Sequence, residues 1–177
     1  MTRVLVVTPD AEVKGARGIA DHIVTRIQEA PQIAHCDRCA SPDAVDEDTD
    51  AVVYLPDLCT GASPENEHRT IAEHLGQAGV RHVVVLSSAE VYGARPHNPG
   101  LIQEDQSRTY GASNGIARAW SAIEEFFETQ LAEQPDTKVT LLRPAPCLFP
   151  DRRAYYSRFF KKSLAFTLAG HDPTMQL

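Results

Sequence analysis

Four short runs of adjacent apolar residues limit what this chain can fold into: Val4-Leu-Val-Val, Ala51-Val-Val-Tyr-Leu55, Val83-Val-Val-Leu86 and Val139-Thr-Leu-Leu142. They are rich in β-branched residues and do not alternate with polar ones. That is the pattern of strands covered on both faces in a parallel sheet. Helical periods lie between them. Residues 15–30 carry Ile19, Ile23 and Ile27 at spacings of four, and Pro31 stops them. A second helix is expected over 66–78, ended by Gly79. The longest is expected over 110–131, with Ile116, Trp120, Ile123 and Phe127 as its apolar stripe. Residues 33–37 read as a further strand, ending at Asp37, and 41–50 as an acidic loop. Strands alternating with helices predict an α/β fold with a doubly wound parallel sheet. Ligands of such sheets bind beyond the C-terminal strand ends, which directs attention to residues 8–18, 37–39, 55–60, 87–93 and 144–150.

A chain of 177 residues suits one domain, and 42% hydrophobic residues supply a core without disulfide or metal staples. The net charge of −7 argues against a general nucleic-acid binder, which needs a basic footprint. The last segment, 151–177, is instead basic, and residues 155–167 within it form an amphipathic stretch with Phe159, Phe160 and Leu164 on one face. No apolar run is long enough to span a membrane, and the N-terminus lacks the pattern of a signal peptide, so a cytoplasmic protein is expected. The four cysteines read as reduced thiols. Cys36-Asp-Arg-Cys39, preceded by His35, has metal-ligand spacing but no second pair to complete a site, so no metal is expected. His68 and His74 lack the spacing of a metal-binding helix and read as helix-surface residues, and Glu104-Asp105 as a solvated doublet.

The strand Val83–Leu86 runs directly into Ser87-Ser88-Ala-Glu90-Val-Tyr92-Gly93, and Tyr110-Gly-Ala-Ser-Asn114 follows. With Val4–Thr8, Gly79-Val-Arg-His-Val-Val and Leu142-Arg143-Pro144, these segments resemble the extended short-chain dehydrogenase/reductase family, the nucleotide-sugar epimerases and dehydratases. The resemblance implies a Rossmann-like domain over residues 1–150. It also implies that 151–177 is a helical tail, the remnant or start of a substrate domain that is largely absent.

In that family a tyrosine hydroxyl exchanges a proton with the substrate while hydride moves to or from a nicotinamide. Phenol titrates near ~10, so it needs help at neutral pH. A lysine one helical turn on supplies a positive charge, and a serine hydrogen-bonds the reacting oxygen. The resemblance makes Tyr110 the acid/base and Ser88 its partner, and it places Asn114 where lysine would stand. Asparagine offers hydrogen bonds but no charge. Glu90 stands where related dehydratases carry an acidic base.

NAD(P) is the implied cofactor, but its loop is degenerate. Thr8 is followed by Pro9, which lacks an amide donor, and by Asp10 and Glu12, which repel phosphate. Gly15, Arg17 and Gly18 remain as candidate phosphate contacts, with Lys14 beside them, and Asp37 with Arg38 as candidates at the adenosine ribose. After Arg143-Pro144, Ala145-Pro146 replaces the family's usual aromatic and asparagine. Three functions follow from these departures: an epimerase/dehydratase-type enzyme of altered chemistry acting on a small or nucleotide-linked hydroxyl or carbonyl compound, a non-catalytic partner or scaffold subunit, or a cofactor-independent lyase or cyclase. The resemblance further implies a homodimer, or a partner protein, docked through the helices near 66–78 and 110–131 and the 155–167 tail.

Overall fold

The computed structural model describes residues 2–8, 14–56, 65–93, 99, 101–106, 108, 115–132, 134 and 136–145, with the side chains of 14–18, 65–67, 116 and 130–132 left aside. Five strands, β1 (Thr2–Val7), β2 (Ile33–Cys39), β3 (Ala51–Tyr54), β4 (His82–Leu86) and β5 (Lys138–Leu142), form one sheet in the order β2-β1-β3-β4-β5. Every neighbouring pair is parallel. Helices α1 (Lys14–Gln28), α2 (Glu65–Gln77) and α3 (Gly115–Ala132) complete a Rossmann-like α/β fold.

Alternation along each strand sorts the apolar runs onto two faces. Val4, Val6 and Cys36 join Ala20, Ile19, Ile23 and Ile27 of α1 on one side. Leu5, Val7, Val52, Tyr54, Val83 and Val85 meet Ile71, Leu75, Ile123 and Phe127 of α2 and α3 on the other. Both faces of β1 are therefore buried, and β3 and β4 are buried on the α2–α3 face and half-buried on the other, which is why these sequences do not alternate with polar residues. Each such side chain, taken fully from water, contributes roughly 1.5–3 kcal/mol before conformational entropy is charged against it. Gly79 ends α2 with φ +68°, the left-handed conformation that glycine adopts without penalty.

Two expectations change. β2 does not end at Asp37 but runs to Cys39, so Asp37 lies inside the strand opposite Leu5. On this edge strand His35 and Asp37 are exposed, so its end carries less of the apolar signal that marks the buried strands. His68 is not a helix-surface residue. It is 2% exposed, its Nδ1 2.5 Å from the Tyr54 hydroxyl. Burial pushes the His68 pKa down. The described part of α3 begins at Gly115, and the expected helix start at Tyr110–Asn114 lies outside the described residues, as does the tail 151–177. Cys36 and Cys39 fall on opposite faces of the sheet, Cys36 under α1 and Cys39 against the α2–α3 cluster. Among the described residues no group of His, Cys, Asp and Glu is placed to hold a metal, and no helix is long and apolar enough to cross a membrane.

Candidate functional site

The C-terminal end of β4 runs into a capped and hydrogen-bonded turn. The chain leaves Leu86 through Ser87 and Ser88 into a single 3-10 turn, Ala89–Tyr92. Ser88 caps that turn: its backbone is extended and its Oγ accepts from the Glu90 N–H at 3.2 Å. Gly93 closes the turn with φ +62°, and its N–H donates to the Glu90 carbonyl at 2.9 Å. Two more backbone bonds stitch the segment to the end of β5 and the residues just after it. The Ser87 N–H donates to the Leu142 carbonyl at 2.7 Å, and the Ala89 N–H to the Pro144 carbonyl at 3.0 Å. Ser88 and Glu90 are thus brought together, half-buried, on a turn fixed from below and from one side. The Ser88 hydroxyl accepts one bond and retains its proton to donate.

Beneath this turn lies a network that sequence reasoning missed. Glu124 on α3 is completely buried. Its carboxylate accepts from Arg143 Nε and Nη2, both at 2.9 Å, and from Arg108 Nη1 at 3.1 Å. The remaining Arg143 nitrogen, Nη1, donates to the Tyr92 hydroxyl at 2.8 Å, and the guanidinium lies 5.3 Å from the centre of the Tyr92 ring. Arg108 also pairs with Glu128 at 2.7 Å. The Glu124 hydrogen bonds drive the Arg143 pKa up despite partial desolvation, so this arginine is a fixed cation. A paired buried carboxylate of this kind ties α3, the turn after β4 and the end of β5 into one unit. The available signal was Arg143 directly after an apolar strand, together with Glu124 on the same side of its helix as Ala117 and Ser121.

The cofactor candidates are arranged otherwise. Thr8 stands just past β1, 1% exposed, with its N–H donated to the Cys39 carbonyl at 3.0 Å and its hydroxyl without a hydrogen-bond partner. Gly15, Arg17 and Gly18 lie in the opening turns of α1. Asp37 is two residues short of the end of β2, its carboxylate 2.6 Å from His35 Nε2. Arg38 points to the other face and pairs with Asp21 of α1 at 2.6 Å. The structure therefore brings Ser88 and Glu90 together, while Asp37 and Arg38 are occupied by partners within the chain. Tyr110 and Asn114 fall outside the described residues.

No protein-family model matches the chain. Uncharacterized proteins of Mycobacterium bovis and Mycobacterium tuberculosis are 36% identical to it over 98 residues, which is 55% of this chain and 26% of theirs. Solved structures are similar over most of the chain. The UDP-N-acetylglucosamine 4-epimerase from Bacillus cereus superposes with a TM-score of 0.66 at 13% identity, covering 91% of this chain and 61% of that one. MoeE5 in complex with UDP-glucose and NAD gives 0.57 at 21% identity over 90% and 60%. The Bordetella bronchiseptica enzyme WbmH in complex with NAD+ gives 0.59 at 17% over 91% and 62%. The chain spans about a quarter of the curated relatives' length and about three fifths of these structures. At such identities the likeness is one of fold, the Rossmann-like α/β domain.

Proposed function

We propose that this chain is the nucleotide-binding part of an epimerase/dehydratase-type protein related to the extended short-chain dehydrogenases, acting on a small or nucleotide-linked hydroxyl or carbonyl compound with altered chemistry. The observation that carries this reading is the anchored turn after β4, which holds Ser88 and Glu90 at the ligand-binding edge of a parallel sheet. Support comes from structural neighbours that bind UDP-sugars and NAD. In this reading the Ser88 hydroxyl donates to the reacting oxygen, while Tyr110 or Glu90 exchanges the proton. A nicotinamide bound at the strand ends would supply the hydride acceptor. With Asn114 in the lysine position, Tyr110 lacks the neighbouring charge that would favour its ionised form.

Titrating NADH and NADPH against the protein tests this reading, and no binding at millimolar cofactor sinks its redox form. Asn114→Lys sharpens the test, since a gain of binding or turnover supports a site that has lost one part. A specific feature also favours a second reading, the non-catalytic partner: Asn114, Pro9 and Pro146 depart together from the family's pattern. No change in Asn114→Lys supports it. Activity that survives removal of cofactor and disappears in Glu90→Gln would instead establish the lyase or cyclase form. The homodimer through α2 and α3, with the 155–167 segment as a further docking element, belongs to the same proposal, and sedimentation velocity measures it.

A further inference from the structure

We infer that the cleft of this protein takes a single nucleotide unit, the nicotinamide mononucleotide half of the cofactor, rather than a full dinucleotide. The inference rests on the reading above and names the ligand of that same site.

The argument begins with strand order. Dinucleotide-binding sheets of the doubly wound class are made of two mononucleotide-binding halves in the order 3-2-1-4-5-6, so a strand lies outside the second one, on the side where the adenosine ribose is gripped. Here β2 is the edge among the described strands. Residues 40–50, all of them described, lead from β2 to β3 through one 3-10 turn at Pro42–Ala44, with neither a strand nor an α-helix among them. The resulting order, β2-β1-β3-β4-β5, is that of doubly wound folds that seat a mononucleotide where the order reverses.

The path of residues 40–50 shows why, among the described residues, none forms a wall beyond β2. They turn away from the ligand edge and descend to the opposite end of the sheet. Val45 enters the α2–α3 core cluster, and Arg3 at the start of β1 bonds Asp46 with its guanidinium at 2.6 Å and Asp50 with its backbone N–H at 2.9 Å. Arg81, just before β4, holds Asp50 from the other side. The segment is fastened at the bottom of the sheet.

The side chains that would grip the adenosine ribose are also committed elsewhere. Asp37 lies two residues inside β2 and faces His35, and Arg38 is turned onto Asp21. At the ligand edge the situation is the opposite. The Thr8 hydroxyl at the end of β1, beside the reversal point between β1 and β3, and the Ser87 hydroxyl one strand further on, at the end of β4, are buried without hydrogen-bond partners, as His68 Nε2 and Ser121 Oγ are within the helices, and Ser88 follows Ser87 directly. Native structures rarely leave such groups unsatisfied. Among the described strand ends, those of β1 and β4 carry buried hydroxyls without internal partners.

Calorimetric titration of the whole chain with NADH, reduced nicotinamide mononucleotide and AMP tests the inference. The mononucleotide should bind within about threefold of NADH, and AMP should show no binding at millimolar concentration. NADH binding more than about thirtyfold tighter than the mononucleotide, or AMP binding as tightly as NADH, would overturn it and leave the proposed function standing. Failure of all three to bind would sink the inference together with the redox reading. Thr8→Val adds an independent readout. It removes an unsatisfied buried hydroxyl, so the melting temperature should hold or rise, while affinity for NADH and for the mononucleotide should fall by the same factor, about tenfold. Unchanged affinity for both ligands would place the nucleotide away from the end of β1 and overturn the inference.

Discussion

At its β5 flank the sheet is closed by a buried ion network, whereas at its β2 flank it ends in surface pairs. Glu124, Arg143, Arg108 and Tyr92 join three elements with charge-assisted bonds around a carboxylate that solvent does not reach. On the opposite flank, His35 with Asp37 and Arg38 with Asp21 are pairs whose acidic members are largely exposed. Exposed pairs contribute little to stability, while a buried charge stripped of its partner is strongly destabilising. The two flanks therefore differ in what they can position. The β5 flank holds a turn bearing Ser88 and Glu90 in one geometry. The β2 flank keeps the edge of a sheet soluble through charged side chains.

The largest effect that would break this comparison is expected at Arg143. Arg143→Met removes both bonds to Glu124 and the bond to Tyr92, and should lower the unfolding free energy by about 3 kcal/mol, the lower end for breaking a buried pair because Arg108 remains on Glu124. Urea denaturation measures it. A loss under about 1 kcal/mol would mean that the network is no firmer than a surface pair. Tyr92→Phe comes next. It keeps the ring beside the guanidinium and deletes only the hydroxyl, and should cost about 1.5 kcal/mol, the scale of a hydrogen bond to a charged group. If Tyr92→Phe matches Arg143→Met, the hydroxyl rather than Glu124 is the centre of the network.

How much of this could be read beforehand depends on where each residue's partner lies. The buried strands declared themselves because both of their faces are apolar, so position along the sequence was enough. β2 was harder, since an edge strand with His35 and Asp37 outward carries half the signal, and its last two residues fell outside the expected span. Glu124 and His68 were the hardest to read. Each is a polar residue on an otherwise amphipathic helix, and polar helix residues are usually exposed. Their burial is decided by distant residues: Arg143 reaches Glu124 from the end of β5, and Tyr54 reaches His68 from the end of β3. The Ser88 turn was legible as a motif, but its anchoring through Leu142 and Pro144 was not, because parallel pairing between β4 and β5 sets it.

His68 gives a pH-dependent test of the core between the two flanks. Burial lowers its pKa in the folded chain, so the unfolded chain takes up a proton first as pH falls. Its contribution is therefore full above the unfolded value of about 6.5 and is lost as pH drops from there through the folded value, with a slope of at most about 1.4 kcal/mol per pH unit. His68→Gln, which keeps a polar group for the Tyr54 hydroxyl, should flatten the stability profile below neutrality relative to the parent chain. Parallel profiles for the two proteins would show that His68 is hydrated and titrates alike in both states.

The smallest effect is expected on the β2 flank, and its smallness is the point. Arg38→Gln removes the pair with Asp21, whose side chain is 61% exposed, and should change stability by no more than about 0.5 kcal/mol. The melting temperature in low and high salt measures it, and the small difference from the parent should shrink as salt rises. A loss approaching that of Arg143→Met, insensitive to salt, would mean that Arg38 locks α1 onto β2 as firmly as Arg143 locks α3 onto β5. The two flanks would then be equivalent, and the edge at β2 would have to be understood as a built surface rather than as the place where the sheet stops.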